Sequence, residues 1–158
     1  MKIRKVTPEL HTKSSALLRQ TFPRSTYEVN LVEAFHKHET DIHEWVCIHV
    51  NRVIAYIAFS NAYDNNEKVC GLHLAPLAVK PEFQKQGIAS ELMRFALRQE
   101  AIKSSTLFVL GAPKFYKKFG FTSCANPICP FDKNNSHFLS LRNTESTAFT
   151  VGYESEFT

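Results

Sequence analysis

The chain has 158 residues, of which 44% are hydrophobic and 22% charged, with a formal net charge of +4; that is enough chain to bury one core without disulfides or metals, so a single domain over residues 1–158 is expected. No window approaches the roughly 18 apolar residues of a membrane span, and the basic start Met1-Lys2-Ile3-Arg4-Lys5-Val6 lacks the apolar stretch of an export signal. The basic residues are spread out instead of forming a tail, so neither a nucleic-acid nor a membrane partner is expected, and the scattered Cys47, Cys70, Cys124 and Cys129 read as reduced packing thiols of a cytoplasmic protein.

Lys2 to Val6 alternates like a short strand, and Thr7-Pro8-Glu9 then supplies a cap, a first-turn proline and an acid for a helix running to about Phe22. Pro23 ends that helix. Ser25 followed by Glu28 has the spacing of a capping box, opening a second helix that carries Leu31, Val32 and Phe35 on one side and fades near His38. Two β-rich runs follow, Trp45 to Val50 and Val53 to Ala62, joined tightly at Asn51-Arg52. After the polar turn Asp64 to Glu67, the run Val69 to Val79 is interrupted by Gly71 and Pro76, which predicts a bulge or splay.

Ile88, Leu92, Phe95 and Ala96 have core-facing helical spacing, in a helix expected to end near Lys103. Thr106 to Gly111 reads as a buried strand, Pro113 as the start of a short helix, and Gly120 as a left-handed helix end. His137 to Leu141 and Ala148 to Tyr153 read as closing strands, with a Pro- and Asn-containing loop in this region. Helices, then a strand meander, then alternating strands and helices give the class α/β or α+β, a mixed sheet flanked by helices.

The informative stretch joins Leu77-Ala78-Val79, the turn Gln84-Lys85-Gln86-Gly87 and a helix that begins with Ile88, Ala89 and Ser90. Backbone N–H groups at a helix start have no partner in the helix and carry the positive end of its dipole, so they bind phosphate oxygens. Gly87 lets the loop bend, Ala89 presents only a methyl group, and Lys85 adds a positive charge. The same residues also describe an ordinary strand-to-helix turn; Pro76, which lacks an N–H and so opens the ladder just upstream, favours a cofactor slot.

Gln84, Gly87 and Ala89, preceded by Leu77-Ala78-Val79 and Pro81, match the Q/R-x-x-G-x-G/A signature, and the chain resembles the GNAT superfamily of N-acetyltransferases. Val109-Leu110-Gly111 followed by Phe115 to Phe121 is similar to that family's later strand and Y-x-x-x-G-F segment, and Phe22 with Glu28 to Val32 to the opening of its YhbS-like subgroup. The resemblance implies about seven strands splayed between the fourth and fifth, about four helices, and acetyl-CoA as cosubstrate, with its pyrophosphate on Lys85 to Ser90 and its pantetheine along Leu77, Ala78 and Val79. It implies direct attack of a small-molecule or peptide amine on the thioester, with no metal. Tyr116 stands where the family places its general acid.

His73 is the candidate base, expected on the strand face of Leu77 and Val79 if no bulge intervenes. Glu28, Glu33 or a chain of waters are the alternatives. His36 and His38, with Glu39 and Asp41, read as a solvated helix end, since two histidines at that spacing do not face each other on a helix. The strand edge after Phe121 is one that a second copy can pair with as a homodimer. A non-catalytic acyl-CoA-binding module is the competing reading.

Overall fold

The computed structural model describes residues 1–132, 134 and 136–157. The first half is a meander of β1 (Lys2–Lys5), β2 (Ile42–His49), β3 (Arg52–Tyr63) and β4 (Val69–Val79), with α1 (His11–Thr21) and α2 (Tyr27–His38) between the first two strands. The second half alternates: α3 (Ile88–Leu97), β5 (Leu107–Leu110), α4 (Pro113–Tyr116), β6 (Thr122–Ser123) and β7 (Phe138–Leu141). The seven strands among the described residues join one sheet, mixed as expected, in the order β1-β2-β3-β4-β5-β7-β6.

The near-continuous apolar run of β3 follows from burial on both faces. On one face, Ile57 and Phe59 of β3 and Trp45 of β2 pack with the stripe of α3, Ile88, Leu92, Met93 and Ala96. On the other, Val46, Tyr56, Ala58 and Ala78 pack with Leu17 and Leu18 of α1 and Val29 and Val32 of α2. Each fully buried side chain of this size contributes about 1.5–3 kcal/mol.

The antiparallel pairing of β3 with β4 shifts between Ile57 and Phe59, where Ala58 stands opposite both Ala75 and Pro76. This is the bulge that Pro76 announced, and it follows from that residue's missing N–H. It also reverses the side-chain parity of β4. Leu72 and Leu74 therefore share the α3 face with Leu77 and Val79, and His73 lies on the opposite face from Leu77 and Val79, which corrects the expected face.

Other expectations shift at their edges. The second strand begins at Ile42, and the third helix ends at Leu97, continuing as hydrogen-bonded turns through Lys103. Ala148 to Tyr153 is not a strand: among the described residues it makes two isolated bridges, Ile128 with Thr150 and Tyr63 with Gly152, too few for a ladder. Positions 133 and 135 of the expected loop lie outside the described residues.

The capping box does not form. The Ser25 hydroxyl accepts from the Tyr27 N–H, while the Ser25 N–H donates to the Phe22 carbonyl, leaving the Glu28 carboxylate no part in the cap. Nor are the helix-end histidines merely solvated. His36 Nε2 lies 2.9 and 3.0 Å from the two oxygens of buried Glu44, which also accepts from the Tyr56 hydroxyl, and His38 Nδ1 lies 2.7 Å from Glu156. His11 stacks on His36 with ring centroids 3.5 Å apart and planes 4° from parallel. Among the described residues, His11, His36 and Glu44 form the one group whose donor atoms lie close enough together to suggest a metal. An ion sits in the plane of each ligating imidazole, and two stacked planes share no such point, so the cluster is a polar tie between α1, α2 and the sheet.

Candidate active site

The two parallel strands at the middle of the sheet touch only briefly. β4 and β5 pair at Leu72 with Leu107 and at His73 with Phe108, and no pair follows. Beyond that point the strands part, and a cavity of about 570 Å3 opens between them. Its walls are Leu74, Ala75, Pro76 and Leu77 from β4, Phe108, Val109 and Leu110 from β5, Tyr116 from α4, and Phe22, Tyr27, Glu28 and Leu31 from the helical opening. His73, Phe131, Tyr153 and Phe157 complete it.

The open edge of β4 has a defined polarity. The Lys80 N–H donates to Ile54 O on β3 at 2.8 Å, so the Val79 carbonyl of the same peptide unit points away from β3. Strand alternation then turns the main chain of Leu77 outward as well, and that of Ala78 toward β3. The Val79 carbonyl accepts from Gln84 Nε2 at 2.9 Å and from the Thr21 hydroxyl at 3.3 Å. Gln84 thereby ties the loop to the end of β4.

Gly87 caps α3 in the left-handed region, at φ +82°, and a Cβ built on it would meet nothing within 4 Å. The position needs glycine for its backbone angle, and the space where a side chain would stand is open. The first hydrogen bond of α3 runs from the Glu91 N–H to Gly87 O at 3.0 Å, so the amides of Ile88, Ala89 and Ser90 have no partner within the helix. Lys85 is exposed in the same turn, also at positive φ, and Gln86 Nε2 donates to Glu82 O at 3.2 Å.

Tyr116 lies against the cavity with its ring edge-on to Phe115 and Phe121. A Cβ at Gly111 would come within 2.6 Å of this ring, so the glycine makes room for the tyrosine. Burial pushes the phenol up to about 12, because the charged phenolate is poorly solvated there. Its hydroxyl has no hydrogen-bond partner among the described residues, and the residue lines the same cavity as Leu77 and Leu110.

His73 is 2% exposed, stacked on Tyr153 with centroids 3.6 Å apart, and Nε2 lies 3.0 Å from Gly152 O. A carbonyl only accepts, so Nε2 carries the proton and Nδ1 the lone pair. Burial lowers the imidazole to about 4, against a smaller opposing effect of the Gly152 hydrogen bond, so the ring is neutral near pH 7 and a weak base. Of the other candidate bases, Glu28 lines the cavity, whereas Glu33 faces outward and pairs with Arg19 at 2.9 Å. The aromatic residues Tyr27, Phe131, Tyr153 and Phe157 were not singled out from sequence. The one available signal was the four-residue rhythm of Phe149, Tyr153 and Phe157 in the tail.

A mixed sheet parted between two parallel strands, with a free helix start beside the gap, defines an α/β protein able to seat an anion at the loop and a chain-like ligand in the split. Residues 40–123, more than half of the chain, match the model of the acetyltransferase (GNAT) domain, and the chain belongs to that family. It is 35% identical over 77 residues to the uncharacterized N-acetyltransferase YjhQ of Escherichia coli K12, a stretch covering 47% of this chain and 42% of YjhQ. It is 33% identical over 76 residues to YhbS of the same strain, covering 48% of this chain and 46% of YhbS. The matches thus span less than half of these relatives.

Among solved structures, YhbS from Escherichia coli in complex with CoA superposes with a TM-score of 0.88 at 27% identity, over 99% of this chain and 91% of that one. A GNAT acetyltransferase from Brucella melitensis in complex with acetyl-CoA superposes at 0.82 with 23% identity, over 99% and 97%, a likeness of fold. No helix among the described residues is long and apolar enough to cross a membrane.

Proposed function

We propose that the protein transfers an acetyl group from acetyl-CoA to an amine, by direct attack of the neutral nitrogen on the thioester carbonyl. The observation that carries this reading is the coincidence of the β4–β5 split with the free amides of Ile88 to Ser90 and the open space at Gly87. The diphosphate sits on Lys85 to Ser90, while the outward main chain of Leu77 and Val79 meets the pantetheine arm. Gln84 holds the two parts in register through the Val79 carbonyl.

The split positions the thioester beside the cavity, so that acceptor and carbonyl meet without a bimolecular search. Tyr116 gives its proton to the departing thiolate. A phenol pushed up to about 12 stays protonated across the physiological range, so it meets the departing sulfur with its proton in place. With its basicity so reduced, His73 serves as a neutral ring that fixes Tyr153 and the tail against β4, and the amine proton leaves through cavity water. A cytoplasmic location fits four cysteines that form no disulfide among the described residues.

Free thiol released from acetyl-CoA over a panel of amines tests the reading, together with calorimetric titration of CoA. Binding accompanied by acceptor-dependent thiol release is the expected result. Failure of CoA to bind would end the proposal, and binding with no release across acceptors would mark a non-catalytic acyl-CoA module.

A further inference from the structure

Glu28 is out of place by the rules that built its helix. Positions 28, 31, 32 and 35 lie on one stripe of α2. The last three, Leu31, Val32 and Phe35, are buried apolar residues, yet the stripe opens with a carboxylate.

That carboxylate lines the cavity, and its Oε1 is buried with no hydrogen-bond partner among the described residues. The helix cap does not employ it, since Ser25 and Tyr27 close the cap between themselves. A buried carboxylate oxygen without a donor is costly unless a cation or donor arrives.

The same cavity is lined by the rings of Phe22, Tyr27, Tyr153 and Phe157. Ring faces carry negative charge density and attract cations, while their area shelters an apolar body. Both features select the same ligand. We propose that Glu28 is a specificity-determining residue that receives a positively charged group of the acyl acceptor, whose apolar body lies against these rings. This rests on the acetyl-transfer reading. The attacking nitrogen must give up its charge before it attacks, so a cation that stays paired with Glu28 through the transfer is a second group, and the acceptor class is an amine bearing a further ammonium or guanidinium on an apolar frame.

The test uses two probes of equal shape, phenethylammonium and 2-phenylethanol, titrated calorimetrically into the free and the CoA-saturated protein. A charge-assisted contact favours the cation by roughly tenfold or more, and Glu28→Gln should erase that preference while leaving CoA affinity unchanged. Equal binding of the two probes to the wild-type protein, or a cation preference that survives Glu28→Gln, overturns the proposal. Loss of CoA binding would strike the acetyl-transfer reading instead, and the free-protein titration would still decide this one. Thermal melting of Glu28→Gln and Glu28→Met adds an independent check. Glu28→Met, which removes the unpaired oxygen, should hold or raise the midpoint, whereas a merely structural role for Glu28 lowers it in both variants.

Discussion

The two halves of the sheet use the same kinds of residue to opposite ends. From β1 to β4 the strands pair along their lengths, and β3 is sealed between α3 on one face and α1 and α2 on the other. From β4 to β5 only two residue pairs form before the strands separate. The cavity at this parting, lined from both halves, leaves strand edges, aromatic faces and the Glu28 carboxylate oxygen unmatched among the described residues. The zipped half holds the fold and the parted half offers valence to a ligand, so changes in one should be read in stability and changes in the other in binding and turnover.

The largest effect is expected where the zipped half is cut. Phe59 is fully buried beside Trp45 and the α3 stripe, and Phe59→Ala should cost about 3–5 kcal/mol by denaturant unfolding. CoA affinity should persist wherever the variant remains folded. A mild loss of stability would mean that the core does not centre on β3.

Next comes the parted half. Tyr116→Phe removes only a hydroxyl without a partner among the described residues, so stability should change by less than about 0.5 kcal/mol. Steady-state kinetics should show kcat lower by roughly 100-fold with CoA affinity retained. Unchanged kcat would remove Tyr116 as the acid. The wild-type rate should also show no alkaline fall attributable to Tyr116 below pH 10, because its phenol lies near 12.

The smallest effect joins the halves. His73 titrates near 6.5 when unfolded and about 4 when folded, so the unfolded chain binds the extra proton between those values. The stability due to the neutral ring is complete above pH 6.5 and is lost as pH falls toward 4, by at most roughly 3 kcal/mol. Melting curves of wild type and His73→Gln across this window should differ in slope, with the variant flatter. Parallel curves would show that His73 is not buried as neutral imidazole.

The same contrast separates what sequence could and could not reveal. Periodicity and punctuation located the zipped half well, since the α3 stripe Ile88, Leu92 and Ala96, the strand β3 and the break at Pro76 each depend on neighbours along the chain. The loop at Gln84 to Gly87 was legible for the same reason, as was the left-handed Gly120, at φ +95°. What failed depended on distant partners. Pro76 marked a break but not its size, and it is the single extra residue opposite Ala58 that turns His73 to the other face. Glu28 has the spacing of a capping box but lies in the cavity, and Tyr153 reaches His73 from 80 positions away, a contact set by how the tail wraps the sheet.

The central claim is that the turn ending at Gly87 receives a diphosphate. Calorimetric titration of CoA into wild type and Gly87→Val tests it most directly, because the side chain would fill the open space at this position and the backbone angle of +82° resists any Cβ. Measurable CoA binding by wild type and a loss of roughly 100-fold or more in the variant, equivalent to about 3 kcal/mol, are expected, with circular dichroism showing the fold intact. Equal affinity in two folded proteins would contradict the claim.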